Sequence, residues 1–106
     1  MTRARKSAGT MNVLHDLGFD DAEELTAKVL LAKKINDLLA ARRLTQREAA
    51  VRLGLPQPKI SAMRNYKLRG ISLERMMQAL TILGQHVEIV VTPSNRKTPA
   101  RIDVAA

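Results

Sequence analysis

Residues 44–65 hold the feature that most limits what this chain can fold into: two short stretches of helical spacing separated by Gly54-Leu55-Pro56. Thr45 can cap the first stretch, whose Ala49, Ala50 and Leu53 share one face. Gly54 supplies the backbone freedom that a sharp stop requires. In the second stretch Ile60 and Met63 point inward, leaving Gln57, Lys59, Ser61 and Arg64 on or near the outer side. Pro56 and Pro58 are compatible with a first helical turn, where a missing N–H had no intrahelical acceptor. Two helices in a tight corner, one of them with a polar and basic outer face, are what this segment predicts.

The rest of the composition fits a small helical body. A chain of 106 residues that is 45% hydrophobic can bury a modest core as one domain. Phe19 and Tyr66 are its only aromatic residues, so the core must come from Leu, Ile, Val, Ala and five Met, a mixture that favours helices. There is no cysteine, no run of membrane-spanning length and nothing resembling a cleaved leader, and a cytoplasmic location is expected. The net charge of +8 is informative through its placement. Residues 1–41 carry six Lys/Arg against six Asp/Glu, residues 42–75 nine against two, and residues 76–106 three against two. The excess therefore sits on the two-helix corner, where a phosphate backbone would need it, and the outer-face residue types are those that reach base edges in a major groove.

Along the chain, residues 1–11 read as a flexible basic arm with Arg3, Arg5 and Lys6. Asn12 to Phe19 has enough apolar residues to dock but leaves its conformation open. Asp20 or Asp21 can cap a long helix to about Arg43, with Leu25, Val29, Ala32, Ile35 and Leu39 as the inward stripe and Lys28, Lys33 and Lys34 largely away from it. Residues 66–70 form a loop, and Ser72 caps a further helix whose Leu73, Met76, Met77, Leu80 and Leu83 face inward until Gly84. Val87, Ile89 and Val91 then alternate as in a strand, and no second strand is in sight. The economical solution is the same strand of a second copy across a twofold axis, making these three residues the dimerisation set. The core domain spans 12–92, and 93–106 reads as a flexible tail.

The order Thr-Gln, Ala-Ala, Leu-Gly and Gln-x-x-Ile-Ser across residues 45–61 resembles the lambda-repressor-like helix-turn-helix proteins of the XRE type. Over residues 12–92, Leu17-Gly18-Phe19, Ser72-Leu73-Glu74-Arg75-Met76 and the terminal Val-Glu-Ile-Val-Val look like HigA-type antitoxin regulators. The resemblance implies an all-α helix-turn-helix bundle of five helices or fewer. It also implies that Gln46 contacts phosphate and braces Gln57, that Gln57 begins the base-reading face, and that Lys59 and Ser61 continue it. Arg64 would reach a base edge or a phosphate, and Asn65 and Lys67 would hold the backbone. Pro56 and Pro58 depart from the commoner Ser-Gln-Ser or Ser-Gln-Thr pattern and remove amides that could have capped a phosphate. A homodimer of this kind reads an inverted repeat with half-site centres about ten base pairs, roughly 34 Å, apart. The HigA-type likeness adds autorepression and a RelE-like ribonuclease toxin as partner.

Several plainer readings stand beside these. The corner could be an ordinary packed helix pair with a solvated basic face, or an antitoxin-like interaction module without significant DNA affinity. Asn65 could simply terminate its helix, and Arg64, Lys67 and Arg69 could be solvated cations. Ser61 could merely permit close approach, and Met63, Met76 and Met77 are core fillers by their spacing. His15 and His86 have no metal-ligand spacing, and Asp20, Asp21, Glu23 and Glu24 suit the dipole of a helix start. With no nucleophile elbow or phosphate loop, no catalysis, metal or cofactor is expected.

Overall fold

Helix boundaries fall where local chemistry places them. The computed structural model describes residues 21–97 and 99–105, which form α1 (Asp21–Ala41), α2 (Gln46–Leu53), α3 (Gln57–Arg64) and α4 (Leu73–Ile82). The arm at 1–11, the segment 12–19 and the proposed cap Asp20 lie outside the described residues. Thr45 Oγ1 accepts from Glu48 N at 3.1 Å while Glu48 Oε1 accepts from Thr45 N at 2.9 Å, a reciprocal capping box on α2. Ser72 Oγ accepts from Arg75 N at 3.1 Å and starts α4.

All four helices close in the same way. A left-handed residue follows the last turn, and the next N–H reaches back five residues: Leu44 N to Leu39 O, Leu55 N to Ala50 O, Lys67 N to Ala62 O and Gln85 N to Leu80 O. The left-handed residues are Arg43, Gly54, Tyr66 and Gly84, with φ of 56°, 66°, 57° and 84°. Glycine takes this conformation without strain, and Arg43 and Tyr66 hold it at a cost of order 1 kcal/mol each.

The core joins α1 to α4 and α2 to α3, with Ala32, Ile35, Leu39, Ala49, Leu53, Ile60, Met63, Met76, Ala79, Leu80 and Leu83 buried in one cluster. Leu55 from the corner and Leu68 and Ile71 from the loop complete it. Leu73 and Met77, expected inside, are half-buried.

Three expectations need correction. Val29 is 43% exposed, and Lys28, expected outside, is 2% exposed. The inward face of α1 is Glu24, Ala27, Lys28, Ala32, Ile35 and Leu39, so its N-terminal half is rotated by one position from the apolar stripe. Lys28 fits there because its methylenes can line apolar surface while its ammonium meets Glu24 Oε2 at 3.2 Å and donates to Leu68 O at 3.1 Å. Burying two charges costs several kcal/mol per ion, offset only by such pairing and bonding. The third correction is the strand: residues 85–91 form no strand, and none occurs among the described residues. A strand exists through its ladder, and one copy of the chain offers this segment no partner edge. Val87 packs partly on the core, while Ile89, Val90 and Val91 are 72%, 70% and 89% exposed.

Candidate nucleic-acid interface

The corner between α2 and α3 is built by Gly54, left-handed and open, and Leu55, buried beneath it. Arg75 from α4 donates Nη2 to Gly54 O at 3.0 Å, fastening the corner to the body. The capping box sets the charge of α2: the Thr45 N–H, then the Thr45 hydroxyl, stabilise the Glu48 carboxylate and hold its pKa below the ordinary value. One of the two acidic groups in the basic stretch is thus engaged by its own helix start.

The start of α3 is different. Its cap residue is Pro56, with no side-chain hydrogen bond, and Pro58 stands in the first turn. Lys59 N and Ile60 N both reach Pro56 O, at 2.9 and 3.3 Å, and Pro58 has no N–H. Among the described residues the Gln57 N–H is therefore the one open amide of this turn, so its dipole can offer an anion only a single hydrogen bond.

The expected contact residues separate into groups. Gln57, Arg64, Asn65 and Lys67 are exposed, and Gln46, Lys59 and Ser61 are half-buried. Gln46 opens α2, but no hydrogen bond joins it to Gln57 among the described residues. Lys59 turns its ammonium to Gly70 O, so it fastens the loop after α3 rather than extending free. Asn65 ends α3 and donates Nδ2 to Ser61 O at 2.9 Å.

Arg43, Arg47, Arg52, Arg64 and Lys67 are exposed and make no ion pair among the described residues, leaving unpaired positive charge on α2, on α3 and on the segments that flank them. Arg43, Arg47 and Arg52 were legible only in the charge count of 42–75 and in no motif. Arg42 is committed elsewhere, its Nη2 donating to Leu83 O at the far end of α4. Sequence reasoning missed Asn36, whose Nδ2 donates to Met63 O at 3.1 Å, and the inward Lys28; no local pattern announces either, since their acceptors lie 27 and 40 residues away. Among the described residues no group of three His, Cys, Asp or Glu could hold a metal, and no helix is long and apolar enough to cross a membrane.

A capped helix, a glycine corner and a second helix seated on a third place this chain in the helix-turn-helix class. The family model described as "Helix-turn-helix domain" matches residues 13–92, and the chain belongs to that family. Within it the chain is of the XRE type. It is 50% identical to a solved structure described as an XRE family transcriptional regulator, at a TM-score of 0.74, over 81% of this chain and 98% of that one. No curated protein matches it.

Proposed function

We propose that this chain is a sequence-specific DNA-binding transcriptional regulator that works in the cytoplasm as a homodimer and represses its own operon. The observation that carries the reading is the set of five exposed cations, unpaired among the described residues, on the two motif helices of an XRE-type module and their flanks. In this reading α3 enters the major groove, Gln57 and Ser61 read base edges, and Gln46, Arg64, Asn65 and Lys67 contact the backbone. Lys59 joins the base-reading face only by leaving Gly70 O. Dimerisation uses the apolar segment of Val87, Ile89 and Val91, and the paired α3 helices span an inverted repeat. The HigA-type likeness extends the reading to an antitoxin that holds a RelE-like toxin.

The test is binding to DNA from immediately upstream of the gene, against random competitor, at two salt concentrations. Five phosphate contacts per protomer give a log–log salt slope of about −4.5 per protomer. Absence of specific binding at both concentrations overturns the regulator and leaves a protein-interaction module, a reading favoured by the amide-poor start of α3. Lys59→Ala weakens operator binding more than random-DNA binding if Lys59 reads a base, and equally if it touches phosphate. Ile89→Lys shifts the sedimenting species towards monomer, and an unchanged mass removes 87–91 from the interface.

A further inference from the structure

We infer that Lys28 is a positioning residue for DNA binding, fixing from inside the protein the loop that carries Lys67 past the end of α3. The inference rests on the regulator reading above. Three carbonyls in the stretch 63–70 accept side chains from distant residues: Met63 from Asn36, Leu68 from Lys28 and Gly70 from Lys59. Between the first two lies the left-handed Tyr66, so the path of the backbone at Lys67 is pinned on both sides of the kink. Arg64, Lys67 and Arg69, the exposed cations of this stretch, stand on it.

Lys28 differs from the other two fasteners. Its side chain and that of Glu24 are 2% and 1% exposed, and Glu24 Oε1 finds no hydrogen-bond partner among the described residues. Two apolar residues of similar volume would fill the same space without burying charge, so core filling alone does not account for the pair. Lys28 reaches Leu68 O from α1 with the ammonium at the tip of its long chain, and Glu24 Oε2 stands 3.2 Å from that ammonium. A loop held in place beforehand loses less freedom when its cations meet phosphates, and the affinity gained is that ordering cost.

The full chain carrying Glu24→Leu with Lys28→Met keeps the volume and removes both charges; Glu24→Gln with Lys28→Gln is the second form if the first does not fold. Amide exchange in the free protein reads the loop at Tyr66, Lys67 and Ile71, whose N–H groups bond Met63, Ala62 and Leu68 carbonyls. Operator affinity and salt slope read the function. The expected result is a cooperative thermal transition, faster exchange at those three amides, affinity lower by roughly tenfold and a slope shallower by about one. In a Lys67→Ala background the same pair of changes has a smaller effect on affinity, which a general loss of structure would not produce.

Unchanged exchange, or faster exchange with unchanged affinity, overturns the inference. An equal loss of affinity with and without Lys67 does so too. Failure of the unmutated chain to bind DNA overturns the regulator reading itself, and that control separates the two failures.

Discussion

At its entrance α3 is shaped covalently, Pro56 and Pro58 fixing backbone angles with no side-chain cap, whereas at its exit the carbonyls of Met63 and Leu68 receive donors from α1 and that of Gly70 receives one from Lys59 of α3 itself. The entrance needs no neighbour, since a proline ring holds φ near the helical value by itself. The exit takes its form from α1, whose Lys28 and Asn36 reach across the core. One end is therefore written locally and the other tertiarily, and substitutions at the two ends should behave differently.

The largest effect belongs to the exit. Lys28→Met leaves Glu24 buried and unpaired and should cost about 3–5 kcal/mol, while adding Glu24→Leu should recover most of it. Urea denaturation measures both, and a double variant no more stable than the single one breaks the account. Thr45→Ala, at the capped start of α2, is expected to cost about 1 kcal/mol, a reference for what a helix start with side-chain capping contributes. Pro58→Ala should cost about 0.4–1 kcal/mol by giving the unfolded chain more freedom, yet tighten DNA binding by restoring an amide that phosphate can use. Stability and affinity moving together would contradict that role for the entrance.

The capping box adds a pH test. Glu48 has a lowered pKa in the fold, so its contribution is present above the unfolded value and is lost as pH falls through the folded one. The melting temperature of Glu48→Gln should thus fall less than that of the wild type on acidification from neutral through the carboxylate range. The smallest effect is at Gly70, where an added Cβ would stand 3.1 Å from Lys59 Nζ. Gly70→Ala should change stability by no more than about 0.5 kcal/mol, because a flexible ammonium can move aside. Its visible consequence is the Lys59 amine resonance, expected to shift towards that of a solvated lysine.

The same division explains what could be read from the sequence. Thr45, Gly54, Ser72 and Gly84 act on their own neighbours, and each stands at the helix boundary its residue type implied. Ile60 and Met63 were legible because α3 buries a single narrow face. The face of α1 was misread at Val29 and Lys28, since apolar spacing counts lysine as outward and cannot register an acceptor in a loop 40 residues on. Val87, Ile89 and Val91 alternate correctly for a strand, but alternation specifies one edge and pairing requires two. At the candidate interface the motif residues were legible by type. Their engagements, Lys59 with Gly70 and Asn65 with Ser61, depend on where the helix ends.

The inward lysine also bears on transplanting the motif. A graft of residues 45–65 alone would carry the corner and both of its helices but leave behind every fastener in α1 and the Leu68 and Gly70 acceptors. A unit that keeps these fasteners runs from Glu24 to at least Arg75, whose Nη2 donates to Gly54 O, so an exchange of reading heads between relatives of this chain has to move the long first helix and the start of α4 with them.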